Sequence, residues 1–215
     1  MDGNTLKAGG VAGLHHVKNP ITLARAVMEK SKHVLMFGDG AEKFAKEQKV
    51  ELVDAKYFWT KEAWEALQKE KAKEPKVKGK KSKIKSQTSG LGLKTLDSKR
   101  GTGGAVALDS YGNLAAGTST GGMSNKKYGR VGDSPIIGAG TYANNNTCGV
   151  SATGWGEYFI RLGVARDISA LMEYRAKTVQ EAADAVIKQK LQDLGGDGGV
   201  IVMDKFGNMA VSFNT

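Results

Sequence analysis

The chain is poor in the residues that staple a fold or hold a metal. It carries one cysteine, Cys148, which rules out an internal disulfide framework. Its three histidines, His15, His16 and His33, follow no common ligand spacing and read as loop or strand-edge residues. No apolar run approaches the ~20 residues that a membrane-spanning helix needs. The N-terminus lacks a basic-then-apolar leader pattern, so neither a membrane nor a secretory route is expected, and the location expected is cytoplasmic. What remains is ordinary globular material. At 215 residues, 40% hydrophobic and 25% charged, the chain fits one domain with a real core.

The net charge of +10 invites a nucleic-acid partner, but the excess is local. Between Lys69 and Lys85 there are nine lysines against two glutamates, and the rest of the chain is only mildly basic. That run has no aromatic side chain to stack on a base, so an RNA-binding module is the weaker reading. From Lys69 to about Arg100 few large apolar residues occur, and a solvated, disordered linker is expected there.

Local patterns supply the elements. Residues 7–14 read as a small-residue strand, and Asn19-Pro20 opens a helix with Ile21, Ala24, Val27 and Met28 on one face. Residues 34–37 read as a short buried strand, followed by a helix over 41–48. Thr60 caps a helix carrying Trp64 and Leu67. Residues 147–153 form a strand, and a long helical region from Glu157 to about Tyr174 has a break near Asp167. Thr178 and Glu181 are spaced as a capping box. Two hairpins share one turn pattern: Asp109-Ser110-Tyr111-Gly112-Asn113 and Asp204-Lys205-Phe206-Gly207-Asn208. Adjacency in one antiparallel sheet is expected for them. Helices gather in runs between strands, which argues an α+β fold.

The chemistry centres on the first hairpin. Thr102 stands between Gly101 and Gly103 at the start of its leading strand, directly after the basic segment. Taken alone, Gly-Thr-Gly is a strand start. Cut between Gly101 and Thr102, however, the chain would present a threonine with nucleophile and base in one residue. A free α-amino group has a pKa of ~7.7–8.0 and can take the proton from Oγ. Beyond the hairpin, a glycine-rich loop over 121–140 holds Arg130 and Asp133. A guanidinium can fork onto a carboxylate, and a carboxylate can hold an ammonium. A surface ion pair is the plainer reading of the two. Thr153-Gly154-Trp155-Gly156-Glu157 is a strand-to-helix turn whose backbone N–H groups suit a developing oxyanion, or simply a glycine turn chosen for tight packing.

Three segments in order carry a resemblance: residues 101–109 (GTGGAVALD), 117–123 (GTSTGGM) and 129–135 (GRVGDSP). They resemble the isoaspartyl peptidase and plant-type L-asparaginase family of self-cleaving N-terminal-nucleophile hydrolases, over nearly the whole chain. The resemblance implies an αββα sandwich, incomplete here, and cleavage at Gly101/Thr102. Residues 1–101 become a partial α-subunit region ending in the linker at about 69–100, and 102–215 a β-subunit region. It assigns Thr102 as nucleophile and Thr120 as its helper. Arg130, Val131, Gly132 and Asp133 anchor the substrate; Thr153 and Gly154 hold the oxyanion, and Trp155 and Gly156 complete the pocket. Gly103 departs from the family's usual valine, and Trp155 replaces a residue that is often small or polar.

The implied reaction splits β-aspartyl dipeptides and asparagine without an organic cofactor, in a dimer of αβ heterodimers. The family's His-Gly-Gly-Ala-Gly strand and its sodium-binding Asn-Ala-Gly segment have no counterpart in the sequence, so a chain truncated at both ends is expected. The rival readings are an inactive truncated homologue and a glycosylasparaginase-like amidase.

Overall fold

The computed structural model describes residues 1–73 and 101–215. The element order is β1 (Gly10–Ala12), α1 (Pro20–Lys30), β2 (Leu35–Phe37), α2 (Gly38–Glu47), α3 (Lys61–Lys73), β3 (Thr102–Leu108), β4 (Leu114–Thr120), β5 (Thr141–Ala143), β6 (Cys148–Gly154), α4 (Gly156–Leu162), α5 (Val164–Arg175), α6 (Val179–Asp184), β7 (Gly198–Asp204) and β8 (Met209–Phe213). A 3-10 turn (Ala55–Phe58) precedes α3, and a π-helical stretch (Ala185–Leu191) continues α6. The architecture is α+β. The expected linker lies outside the described residues from position 74 on; positions 69–73 are the last turn of α3, where Lys, Glu and Ala favour helix.

Among the described residues the strands form three sheets: parallel β1–β2, antiparallel β3–β4, and antiparallel β5–β6–β7–β8 in that order. Period-two alternation divides the largest sheet into two faces. Cys148, Val150, Ala152, Val200, Val202 and Ala210 point one way and join Phe159, Val164, Ile168, Val186, Ile187 and Leu191 of the helical layer in the main core. The intervening residues of β6 point the other way, toward the β3–β4 hairpin. There Val106 packs over Gly149, and Thr118 reaches Ser151. The two hairpins are thus not neighbours in one sheet. They belong to different sheets, because turn chemistry fixes a hairpin and not the strand it pairs with next.

That turn chemistry is realised twice. Asp109 Oδ1 accepts the N–H groups of Tyr111 and Asn113 at 2.9 and 2.8 Å, and Oδ2 accepts Asn113 Nδ2–H at 2.9 Å. Asp204 Oδ1 takes Phe206 and Asn208 at 2.9 and 3.0 Å, and Oδ2 takes Asn208 Nδ2–H at 2.8 Å. The intervening Gly112 and Gly207 adopt φ of 82° and 84°, the left-handed region that glycine enters without steric cost.

The N-terminal third is thinner. Its own core is Val17, Leu23, Ala41 and Ala45. In α1 the buried face runs through Leu23, Ala24, Ala26 and Val27, while Ile21 is exposed, so the face is turned from the one expected. Asn19 precedes α1 without a side-chain cap; its carbonyl accepts the N–H of Thr22 instead, at 3.1 Å. Strand β2 is shorter than expected and not buried, with Leu35 and Phe37 both exposed. Thr60 does cap α3, accepting the Ala63 N–H at 3.2 Å, but Trp64 is exposed.

The helical layer breaks at Gly163 rather than Asp167. Gly163 has φ 60° and ψ 45°, which closes α4 and lets α5 start in a new direction. The Thr178–Glu181 capping box is present in both halves.

Candidate active site

The register of the central hairpin sets Thr102 directly opposite Thr120. Thr102 Oγ1 donates to Thr120 Oγ1 at 3.2 Å, and Thr120 Oγ1 also accepts the Gly122 N–H at 3.0 Å. Gly101, before Thr102, is exposed and has open space around it among the described residues, so none of these covers the peptide bond between the two. A small pocket of about 30 Å³ is lined by Thr102, Thr120, Gly122, Met123, Arg130, Gly132, Asp133, Ser134, Gly154 and Trp155. Residues from four separate stretches of sequence therefore meet at the start of β3. The space suits a water or two rather than a substrate. Beside it, sharing Thr120, Arg130 and Gly132, opens a cleft of about 940 Å³ between β1, α1 and β4, in which Val131 lies.

Arg130 is held from behind. Its Nε and Nη2 donate to the two carboxylate oxygens of Glu157 at 2.8 Å each, in a parallel fork. That fork raises the guanidinium's pKa above its ordinary value and lowers that of Glu157. The Arg130 side chain is 18% exposed and that of Glu157 44%, so the pair spans the boundary between pocket and solvent. Glycines make room for it. A β-carbon on Gly132 would stand 2.7 Å from Arg130 Nη1, and one on Gly156 would stand 2.8 Å from both Arg130 Nη2 and Asp133 Oδ1. Asp133 is buried at 6% exposure, and its charge favours the Arg130 cation.

Thr153, next to last in β6, pairs with Gly199 and is exposed; it does not line the small pocket, although Gly154 and Trp155 do. The aromatic ring of Phe159 lies under this turn, close to both Gly154 and Gly198. The Trp155 N–H bonds the Asp197 carbonyl at 2.9 Å, and the Trp155 ring meets Tyr158 edge-on at 5.2 Å. Glu157 was visible in the sequence only as part of the turn motif. Its pairing with Arg130, 27 residues away, leaves no local signal. An acidic residue in a first helical turn is accounted for by the helix dipole alone.

The site as built offers a hydroxyl pair beside an exposed glycine, a cation with its carboxylate, and a glycine turn. A comparison with protein families matches residues 1–215, the entire chain, to the family described as asparaginase. The chain belongs to that family. It is 51% identical over 215 residues to an isoaspartyl peptidase of Salmonella typhimurium, covering all of this chain and 66% of that protein. It is likewise 51% identical to an isoaspartyl peptidase of Escherichia coli, covering 64% of it. An isoaspartyl peptidase/L-asparaginase of Mus musculus is 41% identical over 217 residues, with 61% of it covered. This asparaginase-family chain thus spans about two thirds of the length of the curated relatives it matches. Among its described residues no helix is long and apolar enough to cross a membrane.

Proposed function

We propose that the chain carries the chemistry of a self-cleaving threonine hydrolase, which removes the β-aspartyl group from isoaspartyl dipeptides and converts L-asparagine to L-aspartate and ammonia. The observation that carries this reading is the Thr102–Thr120 hydroxyl pair, beside exposed Gly101 and in one pocket with Arg130, Asp133 and Gly154.

In the maturation step Thr102 Oγ attacks the Gly101 carbonyl carbon, and the acyl group passes from nitrogen to oxygen. Water then opens the ester, leaving a carboxylate on Gly101 and a free amine on Thr102. In turnover that amine takes the Oγ proton as Oγ attacks the side-chain carbonyl of the substrate. Thr153 and Gly154 hold the tetrahedral oxyanion, and the same proton goes to the departing amine. Water hydrolyses the β-aspartyl ester, and aspartate leaves. Thr120 orients Oγ throughout. Arg130 receives the substrate α-carboxylate on the guanidinium edge not engaged by Glu157, with Val131 and Gly132 flanking it. Asp133 receives the ammonium, and Trp155 and Gly156 close the far wall.

No step calls on an organic cofactor or a metal. The reading extends to a cytoplasmic dimer of αβ units and to the αββα sandwich. The sandwich is supported by α4–α6 on one face of β5–β8, the β3–β4 hairpin on the other, and Ile21 of α1 against Gly117 beyond it.

Intact mass of the purified chain beside Thr102→Ala tests it. The wild type yields two fragments divided at Gly101/Thr102, the variant stays whole, and only the cleaved protein releases aspartate from β-aspartyl dipeptides and asparagine. A single species after prolonged incubation of the wild type would sink the proposal.

A further inference from the structure

Two residues from the reactive threonines, at the same level on three strands, lies a chain of hydroxyls, half-buried at Thr118 and buried at its two ends. Thr118 Oγ1 is 2.6 Å from Ser151 Oγ, accepts from Thr141 Oγ1 at 2.7 Å, and lies 3.1 Å from the Gly140 carbonyl oxygen. Thr141 is 5% and Ser151 4% exposed. A hydroxyl has one proton and two lone pairs. Thr118 gives its proton to the Gly140 carbonyl and accepts from Ser151 and from Thr141, whose one proton also faces the Ser134 carbonyl at 3.2 Å. Room for this contact comes from Gly104, paired with Thr118 on β3, because a β-carbon there would stand 2.1 Å from Ser151 Oγ.

The spacing gives the cluster its meaning. Gly104, Thr118 and Ser151 each lie two residues from Thr102, Thr120 and Thr153 on β3, β4 and β6 respectively. Two strand residues are about 6.7 Å. We propose that the Thr141–Thr118–Ser151 hydroxyl chain is a gauge that fixes the separation between the two sheets, and so places the Thr102–Thr120 pair at its working distance from the Thr153–Gly154 turn. These are positioning residues, and the proposal rests on the catalytic reading above. Hydrophobic contact alone would allow the hairpin to slide on β6. Hydrogen bonds joining Thr118 to Ser151, Thr141 and Gly140 at 2.6, 2.7 and 3.1 Å do not. Displacement of about 1 Å costs around a hundredfold in rate.

The test compares Thr118→Val, Thr118→Ser and Ser151→Ala in the full chain by two readouts: the rate of cleavage at Gly101/Thr102 by intact mass, and the threonine methyl signals in the NMR spectrum. Thr118→Val keeps the side-chain shape and leaves Ser151 without its partner. It is expected to shift the Thr120 and Thr153 methyl signals and slow cleavage about 10- to 100-fold. Thr118→Ser, which keeps the hydroxyl, restores both to within about twofold. A residue that only stabilised the fold would lower the melting temperature and leave the methyl signals in place. Unshifted signals in a folded Thr118→Val protein, or no rescue by Thr118→Ser, would overturn the gauge. If Thr118→Val does not fold, Ser151→Ala decides the matter by the same signals. A wild-type chain that never cleaves refutes the catalytic reading, while the methyl signals still decide the gauge.

Discussion

The β3–β4 and β7–β8 hairpins share a turn and little else. Both close on Asp-x-x-Gly-Asn, with the aspartate accepting the same three hydrogen bonds and the glycine in the same left-handed conformation. The β7–β8 hairpin completes a four-stranded sheet, and Val200, Val202 and Ala210 face the helical core. The β3–β4 hairpin stands as a two-stranded sheet mostly of Gly, Ala and Thr, joined to β6 by the Thr118–Ser151 hydroxyls and by Val106 over Gly149, and it carries the reactive pair. One local code has been put to two uses. The strand side chains decide which: Val200, Val202 and Ala210 bury one face of β7–β8 in the main core, whereas the glycines and hydroxylic residues at the Thr102–Thr120 end of β3–β4 are not buried.

If the division is real, damage on the β7–β8 side should be felt as stability. Phe159 is fully buried between the main core and the Gly154 and Gly198 backbones. Phe159→Ala is expected to cost about 3–5 kcal/mol, read by urea or thermal denaturation, and to remove the support of the glycine turn. Next comes the turn itself. Asp204 is 7% exposed and takes three hydrogen bonds, so Asp204→Ala should cost about 2–3 kcal/mol through the stranded donors. The same change at exposed Asp109 should have a clearly smaller effect on unfolding. Equal losses at the two aspartates would break the comparison.

The reverse experiment belongs at the open end of the β3–β4 hairpin. Arg130→Lys loses the planar fork onto Glu157 and the second fork offered to a carboxylate. A charged hydrogen bond is worth about 1.5–3 kcal/mol, so KM for a β-aspartyl dipeptide should rise roughly 10- to 100-fold, with little change in melting temperature. Glu157→Gln keeps the shape and loses the charge, and should give a smaller rise of the same kind. A large loss of stability in either variant, with KM unmoved, would make the pair a structural bridge.

Much of this was legible in the sequence, for reasons that differ from place to place. The hairpins were, because Asp, Gly and Asn at those spacings leave the backbone one economical turn. The Thr178 cap was, because both partners lie within one helical turn. The Gly163 break was not: Asp167 looks like a helix start, but only the glycine enters the left-handed region without cost. The burial of β2 was misjudged, since four apolar residues in a row say nothing about which layer covers them. Thr102, Arg130 and Asp133 were picked out by resemblance to a family. Nothing in a Gly-Thr-Gly triplet distinguishes a nucleophile from a strand start. The Arg130–Glu157 fork and the Thr118–Ser151 contact join positions far apart in sequence, and only folding brings them together.

The smallest effect expected comes from acid, and it again separates the hairpins. Hydrogen bonds from the Asn113 side chain and backbone, with those from Tyr111 and Gly112, hold the Asp109 carboxyl below its ordinary range. A depressed folded-state value means that the ionised turn stabilises the hairpin at pH above the unfolded value of about 3.9. The contribution fades as pH falls through the folded value. Carboxyl carbon shifts followed from pH 6 to 2 should place the Asp109 midpoint below that of a model peptide. Over the same range the Gly103 and Thr120 amide signals should broaden before those of β7 and β8, whose inward side chains lie in the main core. Simultaneous loss of both hairpins would mean that the core, and not the turn, governs the reactive strand as well.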